Sequence, residues 1–176
     1  MSRRLERSFY TRDVLSVAPE LPGKVLVRRY EDGSILRKTI LEVEAYRGVE
    51  DLACHASKGR TKRTEIMYHT GGMIYMYLIY GMYWMLNFVT GEKETPQAVL
   101  IRGIEGFNGP GRLTRGLTLD KSFYGVDLVT SDMIWVEDTG DQQAIISAKR
   151  IGIDYAGDPW KNMNWRFVLT GDNSYE

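Results

Sequence analysis

Two glutamates stand two residues apart in the run LEVEAY, Leu41 to Tyr46. On an extended strand, alternation sends Leu41, Val43 and Ala45 to one face and Glu42, Glu44 and Tyr46 to the other, with the two carboxylates ~7 Å apart at the backbone. Paired carboxylates on that scale can share acid and base roles, as in sugar hydrolases. Spacing alone favours a plainer reading, a half-exposed strand with a wet polar face. Downstream, LACHASKGRTKRT brings His55 just ahead of Lys58, Arg60, Lys62 and Arg63, with no acid between Ser57 and Thr64. Backbone phosphates suit such a loop, although basic runs are more often solvated surface. A lone histidine is usually structural, and the interest of His55 lies in its company.

The third candidate is YMYLIYGMYWMLN, Tyr75 to Asn87, with four tyrosines and a tryptophan around Gly81. Tyrosine and methionine on strands usually pack in a core or cover its edge. Tyr80, beside a glycine where the chain must reverse, is badly placed for burial. An exposed wedge of the kind that enters a groove is the alternative. Metal chemistry has little support. Cys54 is the one cysteine, so no thiol set for a zinc ribbon or iron–sulfur cluster exists, and Cys54 and His55, as neighbours on an extended chain, point opposite ways.

These residues must be positioned by strands and a few short helices. Val14, Val17, Ala18 and Leu21 share a helical face, and Pro19 and Pro22 limit that helix to about two turns. KVLVRRY and SILRKTILEVEAY flank Glu31-Asp32-Gly33, a strong hairpin signal. MIYMYLIY and MYWMLNFV form the next hairpin, and QAVLIRGIEG returns across the turn between Gly91 and Pro96. NGPGRLTRGL feeds a helix with Leu113 and Leu117 on one face. MIWVE, QAIISAKRIGI and WRFVL are further strands. The pattern is α+β, dominated by antiparallel hairpins.

Composition bounds the class. The 176 residues, 43% apolar, can bury one good core, and a single domain over 1–176 is expected. No apolar run reaches the ~20 residues of a membrane helix, and the basic start MSRRLERSFYTRD lacks the apolar core of a secretory signal. An intracellular protein is expected. Formal net charge is zero, which argues against a strongly electrostatic nucleic-acid binder. Its distribution is uneven, with 14 basic against 10 acidic residues through Ile66 and 9 against 13 afterwards, so cationic character concentrates in the half that holds the basic loop.

FYTRDVLSVAPELPGKVLVRR, LEVEAYRGVEDLACHASKGRTKRT, GGMIYMYLIYGMYWMLNFVT, AVLIRG, NGPGRLTRGLTLDKSF and RIGIDYAGDPWKNMNWRF follow one another in an order that resembles the alkyladenine (3-methyladenine) DNA glycosylases of the single-domain mammalian and bacterial type. The likeness spans nearly the whole chain. It implies a curved, largely antiparallel sheet flanked by helices with a protruding hairpin, like the C-terminal domain of formyltransferases. It also implies a monofunctional base-excision enzyme that flips alkylated or deaminated purines out of duplex DNA and hydrolyses the N-glycosidic bond. By the resemblance Glu44 activates the water, which Arg102 and the backbone carbonyl of Ile151 hold. Glu42 is supporting or structural. Tyr46, His55 and Tyr77 clamp the base, and Asn87 crowds the amino group of guanine. Tyr80 intercalates with Met82 beside it, and Lys58, Arg60, Lys62 and Arg63 meet phosphates. No cofactor or metal is implied. The partner is double-stranded DNA with damaged purines, without membrane, and the protein is a monomer of the cytoplasm or nucleoid in bacteria, or of the nucleus in eukaryotes.

The sequence departs from that family pattern at Lys62, where proline is usual, at Cys54, where a small residue is usual, and at Pro22. Two other readings stay open, a non-catalytic sensor of damaged DNA and a carbohydrate hydrolase that uses both Glu42 and Glu44. One expectation concerns register. A two-residue turn at Tyr80-Gly81 puts Tyr77 and Asn87 on opposite faces, so both can line one pocket only with an odd-length loop or a bulge.

Overall fold

Among the described residues, runs of β-branched and aromatic residues separated by glycine turns supply most of ten strands, and proline and glycine keep the helices short. The structure is a computed structural model and describes residues 1–171; the last five residues of the expected 1–176 domain lie outside the described residues. In chain order come β1 (Arg3–Arg4), α1 (Arg7–Tyr10), α2 (Val14–Val17), β2 (Val25–Arg29), β3 (Ile35–Tyr46), β4 (Ile74–Ile79), β5 (Tyr83–Thr90), β6 (Gln97–Ile104), β7 (Phe107–Asn108), α3 (Pro110–Gly116), β8 (Ile134–Asp138), β9 (Ile145–Ala148) and β10 (Arg166–Leu169). Short 3-10 turns at His55–Lys58, Glu65–Tyr68 and Asp154–Ala156 lie between them.

One unclosed sheet holds the strands in the order β1-β8-β2-β3-β6-β5-β4, with β10 on β3 and β9 and with β7 on β6. Every named strand pair is antiparallel. The twelve-residue β3 is the axis. Its first half pairs with β2, its second half with β6 and β10, and an irregularity between Ile40 and Val43 separates the two. Bulges of this kind re-aim side chains, and the two glutamates lie at and just after this one.

The second half of β3 is buried on both faces, which overturns the reading of LEVEAY as a half-exposed strand. Val43, Ala45, Ile74, Leu86, Phe88, Val99 and Ile101 join the main core with Val14, Val17 and Leu113 from the helices. The opposite face is covered by the segment from 47 to 70, whose Cys54, Ala56, Ile66 and Met67 pack on Tyr75, Val89 and Ala98. Glu44 is fully buried as a result and Glu42 nearly so. A second correction concerns QAIISAKRIGI, which leaves the sheet after Ala148. Arg150 turns inward to a buried carboxylate, and Gly152 has φ +73°, a left-handed conformation that does not continue a strand.

Candidate active site and nucleic-acid interface

The β4–β5 hairpin closes on the pair Ile79 and Tyr83, which leaves a three-residue loop, Tyr80-Gly81-Met82. Tyr80 and Gly81 take φ +52° and +65°, the combination of a type I′ turn, and the Met82 amide donates to the Ile79 carbonyl at 3.1 Å. The loop length is odd, so Tyr77 faces Met85 while Asn87 faces Tyr75, and Tyr77 and Asn87 share one face as the register argument requires. Tyr80 is 84% exposed and Met82 60%. Of the other hairpin residues, Met76 and Met85 are buried, whereas Leu78 and Tyr83 are exposed. Tyr83 lies against Gly111 of α3, where any side chain would collide with its ring.

On the pocket face, β3 and β6 bring the acid and its partners together. Glu44 Oε1 accepts from the Tyr46 hydroxyl at 3.1 Å and from Arg102 Nη1 at 3.3 Å, and Oε2 accepts from the Ile151 amide at 2.6 Å. Ile151 therefore meets this carboxylate through its amide. Burial drives the Glu44 pKa above the ordinary carboxylate range, and Arg102, the Ile151 amide and Tyr46 pull it back only in part. Glu42 is differently held, 3.0 Å from Arg166 and 3.5 Å from Arg102. Two guanidiniums on Glu42 speak against an equal pair of working carboxylates.

A pocket opens beside this carboxylate, lined by Tyr46, His55, Tyr77 and Asn87 together with Cys54 and Tyr155. Tyr46, His55 and Tyr77 thus line one cavity. The rings of His55 and Tyr77 lie 4.5 Å apart, close to edge-on. His55 Nδ1 is 2.8 Å from the Tyr75 hydroxyl, and burial, with Arg63 and Lys58 nearby, lowers its pKa to about 4. The imidazole is neutral at physiological pH. Asn87 is fixed by amide donation to the carbonyls of Tyr75 and Met85 at 3.3 and 3.4 Å. Cys54 is buried and its thiol is pushed up to about 11, so it sits here as a protonated, apolar wall.

The basic loop divides. Lys58, Lys62 and Arg63 are exposed, and the Arg63 guanidinium lies 5.2 Å from the centre of the Tyr77 ring, at the edge of the pocket. Arg60 is different. It makes ion pairs of 2.7 Å with both Glu65 and Glu94, so two carboxylates offset its charge. Among the described residues no group of three or more His, Cys, Asp or Glu side chains could hold a metal ion, and no helix is long and apolar enough to cross a membrane.

Sequence reasoning missed three contributors. Arg150 and Asp51 form an ion pair of 2.6 Å with both side chains fully buried. Arg150 also lies 4.9 Å from the ring centres of Tyr46 and Trp165 and donates to the Ala45 carbonyl at 3.0 Å. Asp51 caps the amides of Arg47 and Ala53. Tyr155 lines the pocket from the Asp154–Ala156 turn. Asp51 and Arg150 are 99 residues apart, and no local pattern pairs them.

The profile of the methylpurine-DNA glycosylases matches residues 8–108 and 105–173. Relatives named "Putative 3-methyladenine DNA glycosylase" include one from Psychrobacter cryohalolentis, 44% identical over 199 aligned positions that cover 97% of this chain and 93% of the relative. Another, from Desulfitobacterium hafniense, is 42% identical with 98% of each chain covered. A third, from Borrelia garinii subsp. bavariensis, is 41% identical with 97% of this chain and 98% of the relative covered. These alignments run longer than the 176 residues of this chain, so the relatives carry residues that it omits. The two matched stretches meet at 105–108, on the tight β6–β7 turn.

Proposed function

The chain belongs to the methylpurine-DNA glycosylase family, DNA-repair hydrolases of N-glycosyl bonds, and from that premise we propose a monofunctional base-excision mechanism that runs through Glu44. A damaged purine leaves the duplex and enters the pocket between Tyr46, His55 and Tyr77. Flipping costs a few kcal/mol, least at weakened pairs. Tyr80 fills the vacated stack and offsets part of that cost, since an aromatic ring stacked on a base is worth roughly 1–3 kcal/mol. A ring-methylated purine is cationic, and aromatic faces attract a cation by about 0.5–2 kcal/mol. Normal bases gain less. The same positive charge makes the damaged base a good leaving group, so a positioned water and a base are the main chemical requirements.

The observation that carries this reading is Glu44, a wholly buried carboxylate that accepts a hydrogen bond from Tyr46, a residue of the aromatic pocket's lining. Its three donors occupy three of the roughly four lone-pair sites of a carboxylate, which leaves one for a water. Glu44 takes a proton from that water as its oxygen bonds to the sugar C1′; the bond from C1′ to the purine nitrogen breaks, and its electron pair leaves with the base. Arg102 and the Ile151 amide favour the ionised carboxylate against its burial and aim it. Lys58, Lys62 and Arg63 track the phosphates, and Met82 lies beside Tyr80 against the DNA. An intracellular site of action follows from the substrate.

Duplexes that each hold one defined lesion, followed by alkaline cleavage at abasic sites, test the assignment. The protein is expected to cleave at hypoxanthine or methylated purines, and Glu44→Gln is expected to lose about 10²–10⁴-fold in rate while it still binds the lesion duplex. Cleavage by Glu44→Gln at the wild-type rate removes Glu44 from the mechanism. Binding without any cleavage by the wild type makes the protein a sensor.

A further inference from the structure

The walls of this half-open pocket leave about 40 Å³ between them, enough for a few waters at roughly 10–15 Å³ each. A benzene ring occupies an engineered apolar cavity of roughly 150 Å³, and a purine is larger. One of the walls must therefore move before a base can lie fully between them. Tyr46 is fixed from behind by Arg150 and by its bond to Glu44. His55 is tied to Tyr75, Asn87 to two carbonyls, and Tyr77 is packed between the rings of His55 and Tyr75. Cys54, Met67, Tyr75 and Ala98 are buried.

Tyr155 is the exception. It is 69% exposed, alone among the lining residues in that class, and its hydroxyl donates to the Ala53 carbonyl at 3.2 Å. That contact joins the Asp154–Ala156 turn to the segment just before His55. The backbone on either side is anchored, because Ile153 and Ala156 are buried against Ala53. Side-chain rotation, which exposed residues complete within ps–ns, is the cheap motion; displacement of the turn is not. We infer that Tyr155 is the swinging wall of the base pocket and sets the bulk of the lesion it admits. Latched on Ala53, the ring closes over a flat purine and excludes water. A purine with an extra fused ring holds it off the latch, so Tyr155 favours compact lesions over such adducts.

This inference rests on the glycosylase reading, and one experiment separates the two. Single-turnover excision of hypoxanthine and of 1,N6-ethenoadenine is measured for the full chain, for Tyr155→Ala and for Tyr155→Phe. Tyr155→Ala is expected to raise the ratio of ethenoadenine to hypoxanthine rates about 10-fold or more, a span that pocket shape can supply. Tyr155→Phe, which keeps the ring and loses the latch, is expected to move the ratio the same way by less. A ratio within about twofold of wild type for Tyr155→Ala, a fall in that ratio, or an equal loss of both rates overturns the gate. If the wild type excises neither base, the glycosylase reading itself has failed; if it excises and the ratio stays put, only the gate has.

Discussion

At the scale of single residues, the site rests on opposite treatments of ionisable groups by burial. Burial raises the Glu44 pKa and lowers that of His55, because the low-dielectric interior disfavours the charged form of each. Excision by an ionised Glu44 is expected to fall with acid in one proton step, with a midpoint above the usual carboxylate range. His55, neutral down to about pH 4, adds nothing to that limb at higher pH. Single-turnover rates against pH check this, and a limb that survives Glu44→Gln with its midpoint unchanged assigns it elsewhere. The linkage signs also oppose one another. The His55 contribution to stability is present above its unfolded value and lost as pH falls toward about 4, whereas the Glu44 contribution is present in acid and lost as pH rises through its folded value.

At the scale of elements, the hairpin and the basic loop show how far local pattern reaches. The Tyr80-Gly81 reversal, the strands on either side and the exposed tip follow from alternation and turn chemistry. Leu78 and Tyr83 did not, because β6 pairs with β5 only from Asn87 to Thr90 and the outer part of the hairpin lies beyond that pairing, with α3 against Tyr83. In the loop, the count of cations was legible and their pairing was not, because Glu94 comes from a distant turn to meet Arg60. Neutralising Lys58, Lys62 or Arg63 is expected to reduce the slope of log binding constant against log salt by about 1 each. Arg60→Ala is expected to change that slope by clearly less, since two carboxylates already offset its charge. Titrations of lesion duplex at several salt concentrations measure both, and equal slopes for Arg60→Ala and Lys62→Ala contradict the division.

At the scale of the whole molecule, the site is a seam between distant parts of the chain. Asp51 comes from the segment that covers the sheet and Arg150 from the run that leaves β9, and their buried pair joins both to the carbonyl of Ala45, next to Glu44. Asp51→Asn leaves the Arg150 guanidinium buried without its counter-charge and is expected to cost about 3–5 kcal/mol in stability, read from urea unfolding. A cost below about 1 kcal/mol, the value of a surface pair, contradicts that account of the seam.

Sequence alone determined which residues are present to do chemistry and the local geometry of the strands that carry them, since alternation, turn glycines and proline limits act over a few residues. Only the tertiary structure decided that the polar face of LEVEAY is dry, that Arg60 is already paired, that the Ile151 amide points at Glu44 and that Tyr155 lines the pocket while exposed. Each of those facts depends on segments far apart in the chain packing onto the same face of one sheet, and burial, which sets the charge and the freedom of a side chain, exists only after they have done so.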